Sequence, residues 1–215
     1  MKKIVLIGDS IRMGYDKYVK EALDGVAEVY YPSENCKFAQ YTLRFLHEWK
    51  KKGEWPDDID LVHWNVGLWD VLELSDEGPL SSPEHYAEMI CRINKRIRAL
   101  FPKAKVVFAT STAVREKEYK GPMFYRHNNI IEQYNAVALE ALKGSDTLIN
   151  DLYAHSKNAP AECCSDKTHY STPMGAAYMG GKVLSVICKV LDISAAEINV
   201  EGFELEKYSA DNIGY

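Results

Sequence analysis

The chain has 215 residues, of which 47% are hydrophobic and 27% are charged. This composition is typical of a globular protein and excludes a disordered chain, a collagen-like chain and a disulfide-stabilised miniprotein. The formal net charge of −5 argues against nucleic-acid partners and against an anionic membrane surface, because both bind basic protein surfaces. At about 150 residues per domain, one large domain is the simplest expectation.

The cysteines indicate a reducing compartment. Their number is odd and no Cys-x-x-Cys pair occurs, so at least one thiol stays unpaired within the monomer. They are Cys36, Cys91, Cys163, Cys164 and Cys188. The apolar run after the N-terminal lysines ends at Ile7 and is too short for a signal peptide, and no uninterrupted apolar window reaches about 18 residues. We therefore expect a cytoplasmic protein with no membrane partner.

The first half of the chain alternates apolar strands with helical patterns. The predicted strands are Ile4–Ile7, Val26–Tyr31 and Ile59–Trp64, and the predicted helices run from residue 10 to about Leu23, from Phe38 to Trp49 and from Pro83 to Leu100. In the last of these helices, apolar residues recur at positions i, i+3 and i+4. Ser82 is its predicted N-cap, and Pro83 takes the first helical position.

The second half continues the alternation. Strands are predicted at Lys105–Ala109 and Thr147–Asn150, and helices at Ile130–Leu142 and Pro173–Leu191, the latter capped by Thr172. Beyond these elements lies a C-terminal extension, residues 192–215, which contains a weakly strand-like stretch at Ile198–Leu205. The chain therefore divides into a domain at 1–191 and an extension whose role stays open.

Five apolar strands separated by helices predict an α/β fold, a five-stranded parallel sheet with helices on both faces. Ligands of such sheets bind beyond the carboxyl ends of the strands. The strand order 2-1-3-4-5 makes the first and third strands neighbours, which would bring Ser10 and Asn65 side by side. The Rossmann order would separate them, so we predict the order 2-1-3-4-5.

Polar residues follow several strands at this edge. Ser10 lies where the first strand turns into a helix, and the helix N-terminus favours a developing oxyanion there. His169 can remove the proton of a serine hydroxyl, and Asp166 can orient the imidazole and stabilise its protonated form. The predicted oxyanion donors are the backbone N–H of Ser10, the side-chain amide of Asn65, and the backbone N–H groups of Gly67 and Cys36.

Three segments together carry a family resemblance. Gly-Asp-Ser at residues 8–10, Asn-Val-Gly-Leu-Trp-Asp at 65–70 and Asp-Lys-Thr-His at 166–169 resemble the SGNH (GDSL) hydrolase family of esterases. The resemblance covers residues 3–191 and implies a three-layer, flavodoxin-like α/β/α sandwich. It also implies ester hydrolysis with Ser10 as nucleophile, His169 as base and Asp166 as its partner. Family members include carbohydrate acetylesterases, lipases and thioesterases.

Two of the family's motifs are altered in this chain. The loop at residues 33–38 lacks the glycine whose N–H usually completes the oxyanion hole. Trp69 stands at the usual asparagine position of the third motif, and Asn65 is the natural substitute. These changes support an alternative hypothesis, a non-catalytic ligand-binding module with the same fold.

Simpler interpretations exist for the same residues. Ser10 could be only a helix N-cap. Cys163, Cys164, Asp166 and His169 could be read as zinc ligands, but adjacent cysteines are awkward ligands for one ion. We therefore expect no metal and no organic cofactor.

A long segment at Arg115–His127 is expected to shape the substrate pocket. Its aromatic rings suit a sugar, and Arg115 or Arg126 could bind a carboxylate; alternatively, the aromatic rings pack beneath a solvated loop. The predicted substrate contacts are Asp9, Trp69, Tyr119, Tyr125 and Arg126. The expected substrate is a small-molecule ester of a short acyl group, first of all an acetylated sugar. A lipase, an acyltransferase and any oligomeric state stay open.

Overall fold

The computed structural model describes residues 1–120 and 124–208. Within them, five parallel strands form one sheet in the order β2-β1-β3-β4-β5, so the predicted order is confirmed. The strands are β1 Lys2–Ile7, β2 Ala27–Tyr30, β3 Leu61–Trp64, β4 Lys105–Ala109 and β5 Leu148–Asn150. The helices are α1 Ser10–Ala22, α2 Ala39–Lys52, α3 Pro83–Leu100, α4 Asn128–Leu142, α5 Leu152–Ser156 and α6 Pro173–Leu191.

Helices cover both faces of the sheet. α1, α5 and α6 pack together, and α2, α3 and α4 form a second group. The architecture is therefore the predicted three-layer α/β/α sandwich. The register places Ile7 of β1 beside Trp64 of β3, so these two strands end at the same edge of the sheet.

The burial of the strands explains their apolar sequences. Ile4–Ile7 in β1 are fully buried, and every residue of Leu61–Trp64 in β3 is buried as well. Central strands covered on both faces need apolar side chains at consecutive positions. The edge strand β5 differs, since Leu148 and Ile149 are each 42% exposed.

The predicted helix starts are confirmed where a cap marked them. The Ser82 hydroxyl accepts a hydrogen bond from the N–H of His85 at the start of α3. The Thr172 hydroxyl does the same for Gly175 at the start of α6. Both helices begin at the proline that follows the cap, because proline has no N–H to leave unpaired there. α5 was not predicted, since five residues carry no readable periodicity.

By length and composition, α6 is also apolar enough to cross a membrane. In the sandwich its apolar side packs against α1 and contacts β3. Its buried residues recur at helical spacing, from Gly175 and Ala176 to Ile187. Such a face is typical of a helix that covers a sheet.

The extension is described as far as residue 208, and its weakly strand-like stretch at Ile198–Leu205 forms no strand. This stretch contains a short 3₁₀ turn at Val200–Gly202 and pairs with no strand. It lies along α1 instead: the N–H of Ala196 donates to the Ala22 carbonyl, and the buried Phe203 packs edge-to-face on Tyr18. The apolar residues of this stretch thus pack against a helix and do not form one face of a sheet.

Candidate active site

The turn between β1 and α1 holds Ser10 at the carboxyl edge of the sheet. Asp9 is the N-cap of α1, and its carboxylate accepts a hydrogen bond from the N–H of Ile11. Ser10 is the first helical residue, so the interpretation of Ser10 as the N-cap is wrong. The prediction that Asp9 contacts substrate is also wrong, because Asp9 is fully buried.

Ser10, His169 and Asp166 come together into one hydrogen-bonded chain. The Ser10 hydroxyl lies 2.8 Å from Nε2 of His169, and Nδ1 of His169 lies 2.7 Å from an Asp166 carboxylate oxygen. When Nδ1 donates to the carboxylate, Nε2 is left to accept the serine proton. The arrangement can therefore activate a hydroxyl for attack.

The loop that carries Asp166 is fixed by its own backbone. The other carboxylate oxygen accepts the N–H groups of Thr168, at 2.6 Å, and of His169, at 2.8 Å. Partial burial raises the pKa of Asp166, but the hydrogen bonds and charge of His169, with the two backbone donors, outweigh it and hold that pKa well below its usual value of 3.8. Asp166 is thus an anion at every ordinary working pH.

Asn65 lies beside the end of β1, as the strand order predicted. A Cβ atom added to Gly8 would stand 2.1 Å from the Asn65 side-chain oxygen, so only glycine allows this approach. The Asn65 amide donates to Asp9 at 3.3 Å, and Asn65 is 3% exposed. Gly67 has φ of +138°, and a side chain there would strike the Ser111 hydroxyl, which explains a glycine at this position. Their roles as oxyanion donors stay predictions.

The prediction that Cys36 supplies an oxyanion donor is wrong. Its backbone N–H donates to the Gly8 carbonyl at 3.2 Å and is therefore occupied. Its thiol is fully buried, and burial raises its pKa to about 12. Cys36 thus ties the loop after β2 to the end of β1 and does not face the reacting atoms.

Arg12 is a buried residue near the site that the sequence analysis missed. Its guanidinium is fully buried and bonds the carboxylate of Asp16 one helical turn away. It also donates to the carbonyls of Pro32 and Glu34, at 2.9 and 2.6 Å. The sequence indicates this ion pair only through its spacing, because Arg12 and Asp16 are four residues apart on the apolar side of α1. Arg12 holds the loop after β2 against the helix that begins with Ser10.

Two cavities open on either side of the Ser10–His169 pair, which we name the broad cavity and the narrow cavity. The broad cavity has a volume of about 640 Å³ and is lined by Ser10, Trp69, Leu72, Leu74, Leu80, Phe124, Arg126, Asp166, Lys167, Thr168 and His169. The narrow cavity measures about 320 Å³ and is lined by Ser10, Met13, Gly14, Ser165, Asp166, His169, Ser171 and residues 205–208. The extension thus reaches the site, which the sequence did not indicate.

Only some of the residues predicted to contact substrate line these cavities. Trp69 and Arg126 line the broad cavity. Tyr119 does not: it is 8% exposed, and its hydroxyl bonds that of Thr168 at 2.8 Å. Tyr125 stacks on Tyr119. The prediction of substrate contact is wrong for Tyr119, because its ring is buried, and for the half-buried Tyr125 it stays a prediction.

The described residues contain no group of three or more His, Cys, Asp and Glu arranged to hold a metal ion. Asp70, which follows Trp69, serves α2 instead: its carboxylate accepts the N–H of Ala39 at the start of that helix and the hydroxyl of Ser81. Burial raises the pKa of Asp70 to about 7 in spite of these donors. Asp70 thus caps α2 from the loop after β3.

Solved structures resemble this fold, although no family model and no curated protein matches the sequence significantly. A lipase/acylhydrolase from Enterococcus faecalis matches with a TM-score of 0.65 at 20% identity, over 92% of this chain and 100% of that chain. The acetyl xylan esterase AlAXEase gives 0.64 at 17% identity, over 86% and 99% of the two chains. A carbohydrate esterase family 3 protein from Talaromyces cellulolyticus gives 0.62 at 15%, over 90% and 100%.

These similarities identify the class of fold. The order of the strands, the three layers and the structural matches together show that the chain has the fold of SGNH/GDSL hydrolases. A fold of this kind hosts its chemistry at the carboxyl edge of the sheet, where Ser10 lies.

Proposed function

We propose that the protein is a serine esterase with Ser10 as nucleophile, His169 as general base and Asp166 as the residue that orients His169. The hydrogen-bonded chain of 2.8 and 2.7 Å through these three side chains carries the proposal. Its position at the meeting point of two cavities supports it further, because an ester has an acyl portion and an alcohol portion to accommodate.

The reaction proceeds in two halves. His169 takes the Ser10 proton as the hydroxyl oxygen attacks the ester carbonyl, and the tetrahedral intermediate collapses when His169 returns that proton to the departing alcohol. Water then attacks the acyl-enzyme with His169 again as base, which releases the acid and restores Ser10. Asp166 stabilises the imidazolium in both halves. The N–H of Ser10, the Asn65 amide and the N–H of Gly67 serve as donors to the oxyanion.

We assign a short acyl group, acetyl first, on a small-molecule ester such as an acylated sugar. Two of the similar structures carry the names of carbohydrate or xylan esterases, and Trp69 offers the broad cavity an aromatic face, which suits a sugar ring.

The reaction as written needs no cofactor. We also assign a reducing, cytoplasmic location, supported by five cysteines that all lack disulfide partners.

Labelling with a fluorophosphonate probe tests the proposal. We expect one adduct, located at Ser10 by mass spectrometry, and none in Ser10→Ala. Ser185→Ala is the matched control, since Ser185 lies in α6 and its hydroxyl donates to the Lys182 carbonyl one turn earlier. It should be labelled like the parent. A folded protein that gains no adduct at Ser10 would instead be the non-catalytic binding module.

A panel of esters then defines the substrate. Acetylated sugars and p-nitrophenyl esters of increasing chain length are compared by kcat/KM. We expect the highest values for acetyl and other short acyl groups, with Ser10→Ala lower by at least about 10³-fold. Turnover restricted to long-chain esters would make the protein a lipase, and product esters formed with an added alcohol in place of water would make it an acyltransferase.

A further inference from the structure

Arg126 lines the broad cavity and forms no ion pair with any residue that the structure describes. Nε of Arg126 donates to the Leu68 carbonyl, which fixes the side chain against the loop after β3. Among the described residues, no carboxylate lies within ion-pair distance of its guanidinium. By contrast, Arg115 in the same segment pairs with Glu118. The forked end of Arg126 therefore has donors left for a ligand.

The other charges of the broad cavity do not neutralise Arg126. Asp166 is engaged by His169 at 2.7 Å and by two backbone N–H groups. Lys167 adds a second cation, held 4.4 Å above the centroid of the Tyr119 ring. The charged side chains that line the broad cavity thus sum to a positive charge, although the whole chain carries a net charge of −5. The local charge therefore differs in sign from that of the whole chain.

The remaining walls of the broad cavity are apolar. They are formed by Trp69, Leu72, Leu74, Leu80 and Phe124. A cation at an apolar surface is poorly solvated, and its strongest partner is an anion that it can bind through two parallel hydrogen bonds. The cavity thus combines apolar side chains with a guanidinium that is held in place and can bind an anion.

We propose that the broad cavity holds the alcohol portion of the ester and that Arg126 pairs with a carboxylate on it. The preferred substrates are then short-chain acyl esters of hydroxy acids whose alcohol portion has an apolar or ring face. This inference rests on the proposed esterase function. It follows from size as well, because a short acyl group fits the narrow cavity of about 320 Å³, and the larger alcohol takes the cavity of about 640 Å³.

A pair of acetyl esters that differ only in charge tests this assignment. We compare 3-acetoxybenzoate with the neutral 3-acetoxybenzamide by kcat/KM in the parent protein, in Arg126→Gln and in Arg126→Lys. The parent should prefer the benzoate, and the benzoate-to-benzamide ratio should fall about 10- to 100-fold in Arg126→Gln, as expected for a lost charge-assisted hydrogen bond. Arg126→Lys keeps the positive charge but loses the planar guanidinium that can form two parallel hydrogen bonds. It should therefore retain part of the preference for the benzoate.

Arg115→Gln is the matched control, because Arg115 lies in the same segment but outside the broad cavity. It should leave the ratio as it is in the parent. A parent with no preference for the benzoate overturns the inference. So does an equal loss for both esters in Arg126→Gln, since Arg126 would then only support the loop through Leu68.

Binding separates this inference from the esterase proposal. In Ser10→Ala, calorimetry with intact 3-acetoxybenzoate should detect binding that is weakened about 10-fold or more when Arg126→Gln is added. If this binding is found but the parent is not labelled at Ser10, the esterase proposal is refuted and the proposed anion site is supported. Labelling at Ser10 without any benzoate binding would keep the esterase and overturn the anion site.

Discussion

Asp166 is the most exposed member of the proposed triad, with 44% of its side chain accessible against 11% for His169. A carboxylate this exposed is partly screened by water, so its effect on catalysis should lie below that of a fully buried triad aspartate. The pKa of Asp166, which His169 and the backbone donors hold well below 3.8, sets the pH range in which the carboxylate can interact with His169. A carboxylate with a lowered pKa keeps its favourable interaction above its unfolded pKa and loses it only as the pH falls through the folded pKa.

Asp166→Asn should therefore lower kcat at every pH from 5 to 9, by about 10²- to 10⁴-fold and near the lower bound because of the exposure. The amide can accept from His169 only if the imidazole keeps its proton on Nδ1, and it cannot stabilise the imidazolium. The measurement is a pH profile of kcat with an acetyl ester. Ser165→Ala, one residue earlier, controls for disturbance of the loop. A variant within about threefold of the parent would remove Asp166 from the mechanism.

The sequence predicted some site residues and not others, for a physical reason. The proximity of Ser10, His169 and Asp166 could be predicted because the end of β1 and the start of α6 are fixed by the sheet and by a capped helix. Cys36 could not, because the direction of a loop N–H depends on its tertiary contact with Gly8. Tyr119 was misassigned because a sequence does not reveal which side of a loop faces the core.

At the scale of elements, the turn between β1 and α1 depends on Asp9. Its carboxylate accepts from the Ile11 N–H and from the Asn65 amide, while its second oxygen has no partner among the described residues. Burial raises the pKa of Asp9, although these two donors and the charges of Arg126 and His169 oppose the rise. A carboxyl group with a raised pKa binds its proton more tightly in the folded state, so its contribution to stability falls as the pH rises above 3.8.

Asp9→Asn should remove this pH dependence, because asparagine still caps a helix but has no charge to desolvate. Asp9→Ala should lose about 2–4 kcal/mol of unfolding free energy at any pH, since it loses the cap and strands two buried donors. Urea unfolding at several pH values from 3 to 8 measures both, because the change begins near the unfolded pKa of 3.8. If the stability of Asp9→Asn changes with pH as much as that of the parent does, the pKa of Asp9 is not raised in the folded protein.

The long helices were predictable, and the short helix α5 was not. α3 and α6 have 18 and 19 residues, which is enough for the 3.6-residue period and the caps to be read. α5 has five residues, which is barely more than one turn. The stretch Ile198–Leu205 alternates like a strand, but a strand also needs a free sheet edge, and the extension lies along α1 instead.

On the scale of the whole molecule, the extension forms part of the wall around the proposed active site. The Lys17 ammonium donates to the Glu204 carbonyl at 2.7 Å, and the Tyr208 hydroxyl bonds Asp16, the partner of buried Arg12. These contacts hold residues 205–208 as one wall of the narrow cavity, next to Ser10. The same Arg12 holds the loop after β2, so the extension and that loop are fixed by one buried ion pair.

With the acyl group assigned to the narrow cavity, we expect the extension to limit the length of the acyl chain. Leu205→Ala should widen the narrow cavity and raise the ratio of kcat/KM for p-nitrophenyl hexanoate over the acetate by about 10-fold, because each methylene group in an apolar pocket is worth about 1–3 kcal/mol. Leu80→Ala is the matched control, since Leu80 lines the broad cavity, and it should leave the ratio unchanged. A rise in Leu80→Ala with none in Leu205→Ala would put the acyl group in the broad cavity and reverse the two assignments.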